Sequence, residues 1–340
     1  MSPVVIVGAG VSGLACAQAL RAAGRPVVVL ERARGVGGRC ATRRVEGVPL
    51  DFGPTFLHGS APDFLAAVRA ASSAPRGGWP TIVEGQGQPC QPDAFTPGEQ
   101  RFALEEGVVA FPRALAAGLD VRLQQTITRL EPAGEQVLLE TAAGEEHQAP
   151  VVVLALAAEQ SRSLLSTMSA PPPVVRGAAA LLGLSRSQTC LALLAVYPEG
   201  TPAPPWQICY PRSSRVLQLV SHETSKRPAG GRVALVLQGR PAWSRAHLDD
   251  PAWSDALLAE AGEVVGPWAA TPMARSAHRW LYARSDRSSE LVAPLLLELP
   301  GGAQVGVCGD RFAPGGGVEA AWHSGRALAA RIISQAMETT

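Results

Sequence analysis

The stretch from Val4 to Glu31 reads VVIVGAGVSGLACAQALRAAGRPVVVLE, and it predicts a strand, a helix and a second strand. Val4–Val7 is a short, wholly apolar run, which is typical of a strand buried on both faces. The Ala- and Leu-rich segment Val11–Ala23 ends at Gly24, a common helix stop, and Pro26–Leu30 is again apolar. These three elements form a parallel βαβ unit, which places a ligand site at the carboxyl end of the first strand.

The turn between the first strand and the helix carries the spacing G-x-G-x-x-G. Gly8 allows the tight turn, Gly10 lets the backbone approach a pyrophosphate, and Gly13 lets the helix pack closely on the strand. The helix begins at Val11–Ser12, whose N–H groups face an anion bound at the helix N-terminus. The turn therefore predicts a dinucleotide cofactor; the alternative is a purely structural glycine turn.

The residues after the second strand favour FAD over NAD. Glu31 follows Gly13 by eighteen residues, where a carboxylate accepts hydrogen bonds from ribose hydroxyls. Arg32 comes next, and a second glycine turn follows at Gly37–Gly38 and ends in Arg39. The glycines permit a close backbone approach, and the Arg39 guanidinium is a planar fork of donors for a phosphate or carbonyl.

The C-terminal part carries a second glycine-rich motif. Gln304–Cys308 reads as a short buried strand, and it is followed directly by Gly309 and Asp310. A glycine-rich loop then leads through Gly317 into a long predicted helix from about Val318 to Ala336. We expect both chain ends to contribute to one cofactor-binding domain.

Together these features resemble the renalase family within the flavin-containing amine oxidase superfamily. The resemblance is clear at both termini and in the centre, and outlined only from about 61 to 100 and from 170 to 270. Five parts of the chain carry it: Glu31 to Arg39; Asp51-Phe52-Gly53; Glu106–Val108 together with Phe111–Ala116; His278–Ala283; and Cys308-Gly309-Asp310 together with Gly315–Trp322.

The resemblance implies a set of FAD contacts. In such flavoproteins the Asp310 equivalent binds the ribityl chain, and the start of the last helix points at the flavin ring, where its dipole stabilises negative charge. The implied cofactor-binding residues are Gly8, Gly10, Val11, Ser12, Gly13, Glu31, Arg32, Gly38, Arg39, Gly53, Pro54, Thr55, Val109, Gly309, Asp310, Gly317 and Val318.

The sequence departs from renalases in two places. Renalases read D-x-G-A-Q-Y-F-T where this chain reads DFGPTFLH at 51–58, and Leu57-His58-Gly59-Ser60 is similar instead to the W-[IL]-H-G-S of polyamine oxidases. The closing helix also has Ala320 where glycine is usual. The first departure keeps amine oxidation open as an activity.

Four residues are candidates for the substrate side of the reaction. His58 can act as a base or a hydrogen-bond donor, and a loop histidine is the alternative. Trp280 and Tyr282 share one face of a predicted strand, where they form an aromatic wall or pack in the core. Trp322 and His323 lie in the first turns of the last helix, and we expect one of them, with His323 the candidate for catalysis, to face the flavin edge; the sequence does not distinguish the two.

The chain has one lysine, Lys226. Amine oxidases of the polyamine and monoamine branch carry a lysine that reaches flavin N5 through water. Lys226 lies in a polar Ser-Lys-Arg-Pro segment that predicts a surface turn, so we do not expect that arrangement here. Hydride transfer requires mainly an oriented donor and a dry pocket.

Composition excludes several classes of protein. The 340 residues are 46% hydrophobic and 17% charged, which argues against disorder, and a net charge of +1 argues against a nucleic-acid partner. The six cysteines show no metal-like or disulfide-like spacing, so we expect reduced thiols and no metal site. The absence of a long apolar run predicts no membrane span and a cytoplasmic location. No pattern predicts an oligomeric state.

The order of elements predicts an α/β fold with two domains. A discontinuous FAD-binding, Rossmann-like domain of the glutathione-reductase type is expected at 1–60, 105–168 and 296–340. A sheet-rich α+β substrate domain is expected as the insertion, at 61–104 and 169–295.

We expect an FAD-dependent oxidase in which a small reduced substrate passes hydride to flavin N5 and O₂ reoxidises the flavin. The renalase resemblance implies dihydronicotinamide isomers as substrates. Oxidation of an amine at a C–N bond is the alternative within enzymes. A flavin-binding scaffold or redox sensor without turnover is the alternative from another class.

Overall fold

A computed structural model describes residues 2–85, 98–228 and 231–338 of the chain. Cys90, one of the expected free thiols, lies outside these ranges, and the other five cysteines are free. The strands are β1 Val4–Val7, β2 Val27–Glu31, β3 Thr42–Val45, β4 Val48–Asp51, β5 Leu57–Gly59, β6 Pro75–Gly77, β7 Val83–Glu84, β8 Gln100–Leu104, β9 Asp120–Leu123, β10 Ile127–Ala133, β11 Gln136–Thr141, β12 Glu146–Ala149, β13 Val151–Leu154, β14 Ser187–Val196, β15 Ile208–Cys209, β16 Leu217–His222, β17 Ala234–Gly239, β18 Ala274–Ser285, β19 Leu295–Glu298 and β20 Gln304–Val307.

Helices connect and cover these strands. They are α1 Val11–Ala22, α2 Pro62–Ala70, α3 Ala110–Ala116, α4 Ala158–Leu165, α5 Pro173–Gly183, α6 Pro241–Ala246, α7 Trp253–Val264 and α8 Gly317–Glu338. Short 3₁₀ turns cover Glu223–Lys226, Pro267–Ala270 and Arg287–Ser289.

The chain packs as two units. The first unit comprises Met1–Gly38, Pro112–Ser187 and Ser285–Thr340, and the second comprises Arg39–Phe111 and Gln188–Arg284. This division differs from the predicted domain boundaries, because residues 39–60 and 105–111 pack with the second unit and 169–187 and 285–295 with the first.

The first unit is built on a six-stranded sheet in the order β19-β20-β13-β1-β2-β9. The neighbours from β20 to β9 pair in parallel, and β19 pairs antiparallel with β20. The chain order reverses between β1 and β13, so the sheet has the switch point at which Rossmann-like folds bind ligands. The chain is therefore a mixed α/β protein with a Rossmann-like domain, as predicted.

The apolar strands of this sheet are buried on both faces. Val4 and Ile6 face the core cluster that contains Leu14 of α1 and Leu328 of α8, whereas Val5 and Val7 face a separate cluster. Successive side chains alternate across a strand, so only a continuously apolar sequence can fill two cores at once. β10, β11 and β12 form a separate antiparallel sheet.

The second unit is built on a six-stranded sheet in the order β18-β14-β17-β16-β15-β7. One face packs on α7, with Leu257 in a cluster that includes Leu193 and Leu235. The other face carries Leu194 and Val236, which pack against Leu50 and Phe52 near the end of β4. The hairpin β3–β4 and the sheet β5-β8-β6 also belong to this unit.

Among the described residues, none of the helices is long and apolar enough to cross a membrane.

Candidate functional site

The glycine turn leaves the N-terminus of α1 open to a ligand. Gly10 caps the helix with φ −78° and ψ 175°, and it has no side chain to bond the first N–H groups. The first turn of α1 also carries no acidic residue. The second glycine turn lies beside it, since the Gly37 N–H donates to the Ala9 carbonyl at 2.8 Å. Unpaired N–H groups and the helix dipole together favour an anion at this position.

The glycines of the turn have different surroundings. A Cβ on Gly8, whose φ is +108°, would lie 2.6 Å from the Ala155 carbonyl oxygen, and a Cβ on Gly13 would overlap the Gly8 carbonyl. A Cβ on Gly10 would meet no atom within 4 Å. Gly8 and Gly13 are therefore required by packing, whereas Gly10 borders open space that a diphosphate can fill.

Glu31 closes β2 and folds back onto the glycine turn. Its Oε2 accepts a hydrogen bond from the Ala9 N–H and its Oε1 accepts one from the Ala33 N–H, both at 2.8 Å. A carboxylate oxygen has two lone pairs, so each oxygen can accept one more hydrogen bond from a ribose hydroxyl. Arg32 beside it is exposed, and Gly38 lies close to Gly10, with φ +56°.

The C-terminal motif begins where β20 ends. The Gly309 N–H donates to the Ser324 hydroxyl at 3.1 Å, and Asp310 is buried with its Oδ2 accepting from Ser285 Oγ at 3.0 Å. α8 starts at Gly317, whose φ of +75° suits glycine, one residue before the expected Val318. Both glycine motifs thus lie in the first unit, at the carboxyl ends of β1 and β20, the two parallel strands that flank β13.

His323 and Trp322 differ in burial. Trp322 is buried, and the Arg326 guanidinium lies 4.5 Å from the centre of its ring. His323 is half-buried, with its ring 5.0 Å from that of Trp322. The more accessible of the two is His323, and its place at the flavin edge stays a prediction.

In the second unit, Trp280 belongs to an aromatic cluster. The centre of its ring lies 5.3 Å from that of Phe52, on which it stacks, and 4.2 Å from that of His278. The Nε1–H of Trp280 donates to the Phe52 carbonyl at 2.8 Å. Burial, and then the Arg43 charge, lower the pKa of His278, so this ring is neutral near pH 7. Tyr282 lies on the same half-buried face of β18, as the alternation predicts.

The segment after β4 is held by backbone contacts. A Cβ on Gly53 would overlap the Arg39 carbonyl, and the Gly53 carbonyl accepts from Gln238 Nε2 at 2.7 Å. Thr55 is buried and Pro54 half-buried. Val109, a predicted cofactor contact, donates its N–H to Thr42 Oγ1 at 3.2 Å. The cofactor roles of these residues stay predictions.

His58 lies on β5 and pairs with an acid that the sequence did not single out. Its Nδ1 is 2.8 Å from Glu99 Oε1, and the imidazole is partly accessible. An acceptor at Nδ1 fixes the tautomer that leaves Nε2 free to accept a proton. Glu99 lies in a polar, glycine-containing segment without periodicity, so no local signal points to this pair.

The prediction that Lys226 lies in a surface turn is wrong. Its side chain is fully buried, and Nζ contacts Asp51 Oδ2 at 2.8 Å and Glu223 Oε2 at 2.7 Å. The polar local sequence predicts an exposed lysine side chain. The two carboxylates that bind its ammonium are themselves buried, and they hold the lysine in the interior. In the part of the chain that the structure describes, no group of three or more His, Cys, Asp or Glu residues could hold a metal ion.

Two family models match the sequence. The one described as "NAD(P)-binding Rossmann-like domain" matches residues 6–70, and the one described as "Flavin containing amine oxidoreductase" matches residues 91–333. The second match spans more than half of the chain and includes the Gly309–Val318 motif.

Curated relatives match over short stretches. Putrescine oxidase of Kocuria rosea is 45% identical over 65 residues, which are 19% of this chain and 14% of that protein. The zeta-carotene-forming phytoene desaturase of Myxococcus xanthus is 48% identical over 54 residues, 16% of this chain and 10% of that protein. The alignments thus span a small part of these relatives. An amine oxidase and a carotenoid desaturase match equally well, so this similarity says little about the substrate.

Cyclohexylamine oxidase from Brevibacterium oxydans IH-35A has a similar solved structure, with a TM-score of 0.68, 14% identity and 99% of both chains covered. This similarity concerns the fold. The open space over Gly10, the uncapped helix and the buried Glu31 and Asp310 carboxylates fit the diphosphate and hydroxyl groups of FAD. By the match over 91–333, the chain belongs to the flavin containing amine oxidoreductases, and FAD is its cofactor.

Proposed function

We propose that the chain is an FAD-dependent oxidase of small amines. The observation that carries this proposal is the pair His58–Glu99 in the segment Leu57-His58-Gly59-Ser60, which resembles that of polyamine oxidases. An amine is protonated at neutral pH, and it must lose that proton before it can give up hydride. A histidine held by a carboxylate is suited to accept the proton.

The first unit supplies the residues proposed to bind the cofactor. The N–H groups of Val11 and Ser12 would bind the diphosphate above Gly10, Glu31 would accept from the adenosine ribose, and Asp310 would accept from the ribityl chain. We propose that this unit has the glutathione-reductase type of FAD-binding fold and that the sheet-rich second unit is the insertion.

FAD, when bound, supplies the two-electron acceptor and returns the electrons to O₂. In the proposed reaction the substrate R–CH₂–NH₃⁺ gives a proton to His58 Nε2 and then loses hydride from carbon, which leaves an iminium ion. Water hydrolyses the iminium to an aldehyde and ammonium, and O₂ with two electrons and two protons becomes H₂O₂. Glu99 would hold the His58 ring, and Trp280 would provide a wall for the apolar part of the substrate.

A dihydronicotinamide isomer is the second candidate substrate. The stacked rings of Phe52 and Trp280 favour it, because a flat aromatic surface suits a planar heterocycle. The renalase-like segment Asp51-Phe52-Gly53 supports the same reading. Five free thiols in the described residues support the proposal of a cytoplasmic location.

Anaerobic flavin bleaching separates these proposals. Purified holoprotein is mixed with a panel of small mono- and diamines and, separately, with dihydronicotinamide isomers, and the loss of oxidised-flavin absorbance is followed. Rapid bleaching by an amine, with H₂O₂ formed on admission of air, supports the proposal. Bleaching by the dihydronicotinamides alone assigns the second candidate. Bleaching by neither set contradicts both and favours a flavin-binding protein without turnover.

A further inference from the structure

Lys226 is the centre of a buried ionic cluster in the second unit. Its Nζ bonds Asp51 Oδ2 at 2.8 Å and Glu223 Oε2 at 2.7 Å, and it lies 4.9 Å from the ring centre of Trp79. All three charged side chains are fully buried. An ammonium over an aromatic face is favourable, and desolvation strengthens the attraction. The chain places its one lysine where water cannot reach it.

The carboxylates of the cluster tie distant segments together. Asp51 Oδ1 accepts from the Val108 N–H at 2.9 Å and from Thr42 Oγ1 at 2.5 Å. Glu223 Oε2 accepts from the Asp51 N–H at 2.9 Å, and its Oε1 accepts from Ser221 Oγ at 2.6 Å. Each oxygen of both carboxylates therefore has a donor, and the cluster joins β3, β4, β16 and the loop before α3.

The lysine offsets one of the two negative charges of the cluster. The pKa of Glu223 is raised overall. Burial raises it most, the Lys226 charge lowers it, and the Asp51 charge raises it further. Two buried carboxylates can remain side by side only with a cation between them or with one of them protonated. Removing the ammonium would leave Asp51 buried and without its countercharge, so the hydrogen bonds that Asp51 accepts would no longer be fixed in place.

Two segments next to the cluster contain predicted cofactor contacts. Asp51 stands two residues before Gly53, which begins the segment 53–55. In the other segment, the Val108 N–H donates to the Asp51 carboxylate. The Val109 N–H donates to Thr42 Oγ1, and that hydroxyl in turn donates to Asp51. Gly107, with φ +96°, turns the chain there, and a Cβ on it would overlap Thr42. One carboxylate thus holds the backbone at Val108 directly and at Val109 through Thr42, and it lies two residues before Gly53.

We propose that Lys226 is a positioning residue for FAD. By bonding Asp51 and Glu223 and offsetting one of their two negative charges, it fixes the backbone of residues 53–55 and 108–109 so that both segments contact the cofactor. This inference rests on the proposed function and on the cofactor contacts predicted for residues 53–55 and for Val109. It differs from the lysine arrangement of the polyamine and monoamine branch, since the Lys226 ammonium is enclosed by its own partners and acts only through them.

The test compares Lys226→Met with Lys226→Arg and with Leu257→Ala. Leu257 is buried in the same unit, in the core under α7, so its truncation destabilises that unit by a route that leaves the cluster intact. Each variant is stripped of FAD, its thermal unfolding is measured, and FAD is titrated back while flavin fluorescence and the visible circular dichroism of the bound flavin are recorded.

We expect Lys226→Met to weaken FAD binding about ten-fold or more and to change the visible dichroism of the flavin, whereas Lys226→Arg recovers much of the affinity. Leu257→Ala should lower the melting temperature and keep wild-type FAD affinity and dichroism. The proposal is overturned if Lys226→Met binds FAD with wild-type affinity and dichroism, or if Leu257→Ala loses FAD to the same degree at equal loss of stability.

A second variant decides the case in which Lys226→Met does not fold. Thr42→Val has nearly the same shape as threonine, and it removes the hydroxyl that bonds both Asp51 and the Val109 N–H. Thr42→Val should weaken FAD binding several-fold and alter the visible circular dichroism of the bound flavin. Unchanged FAD binding would overturn the inference. No amine is used in these titrations, so failure of wild-type protein to oxidise amines would contradict the proposed function and leave this result standing.

Discussion

Ser12 and Gly325 lie in direct contact although they belong to opposite ends of the chain. A Cβ on Gly325 would overlap the Ser12 carbonyl oxygen. Ser12 is in the first turn of α1 and Gly325 is in the third turn of α8, so the contact sets these two helices side by side. The two helices that begin at the predicted cofactor motifs are therefore held by a backbone contact that only glycine allows.

Gly325→Ala should destabilise the protein by about 1–3 kcal/mol, because the added methyl meets backbone that cannot rotate away. Gly177→Ala is the matched control: Gly177 lies within α5 with open space around its Cβ position, so alanine there should be neutral or slightly stabilising. Thermal unfolding of both apoproteins measures the difference. Equal melting temperatures for the two variants would show that the helices do not pack as closely as described.

Gly10→Ala and Gly13→Ala should separate ligand binding from folding. Gly10 has a φ open to alanine and an empty surrounding, so its variant should fold like wild type and bind FAD about ten-fold more weakly or worse, because the methyl occupies the expected diphosphate position. Gly13→Ala should instead lower the melting temperature of the apoprotein, since its Cβ would overlap the Gly8 carbonyl.

Both quantities are read from the same apoprotein preparations, one by FAD titration and one by thermal unfolding. Wild-type FAD affinity in Gly10→Ala would mean that the cofactor does not pass over this turn.

Glu31→Ala and His58→Ala should have different effects. Loss of the Glu31 carboxylate removes acceptors for two backbone N–H groups and for the ribose, at about 1.5–3 kcal/mol for each charged hydrogen bond, so FAD retention should fall by ten-fold or more. His58→Ala should retain FAD and slow amine-dependent flavin reduction by about 10²-fold or more. FAD content after gel filtration and stopped-flow bleaching measure the two effects. Equal loss of FAD from both variants would contradict this division of roles.

Stability should fall as the pH drops below neutrality, in part because of His222. Burial lowers the pKa of His222 in the folded protein, and within the described residues its Nδ1 has no hydrogen-bond partner. The unfolded chain binds a proton near the usual value of about 6.5, whereas the folded chain resists it until a lower pH. Between those two pKa values the unfolded state binds more protons than the folded state. Each unit by which the pH falls there lowers the free energy of unfolding by at most about 1.4 kcal/mol through this residue.

Melting temperatures of wild type and His222→Gln at pH 7.5 and 5.5 check this expectation. The wild type should lose more stability between the two values than His222→Gln does. His147→Gln, at a half-buried position in β12, serves as the control and should follow wild type. Parallel pH dependence of wild type and His222→Gln would show that the pKa of His222 is the same in the folded and unfolded states, which would contradict this expectation.

The sequence predicts the first unit well because the information there is local. The apolar run at 4–7, the glycine turn and Glu31 lie within one βαβ segment, and the structure has β1, α1 and β2 at those places. The strand begins at Val27 and not at Pro26, because proline has no N–H to give to the sheet. Alternation along Arg275–Tyr282 likewise predicts the shared face of Trp280 and Tyr282.

The cluster around Lys226 could not be predicted in this way. Ser225-Lys226-Arg227-Pro228 has the composition of an exposed turn, and burial of its lysine is decided by Asp51, far away in the sequence. The same holds for Glu99, whose pairing with His58 comes from the register of β5 on β8. Such contacts follow from tertiary packing, and no pattern of neighbouring residues encodes them.

We expect both glycine motifs to bind one FAD, and a crystal structure of the purified holoprotein tests this most directly. It should show the diphosphate at the N–H groups of Val11 and Ser12 over Gly10, and the ribityl hydroxyls at the Asp310 carboxylate. A nicotinamide nucleotide at the Gly10 turn, or FAD bound away from Asp310, would contradict it.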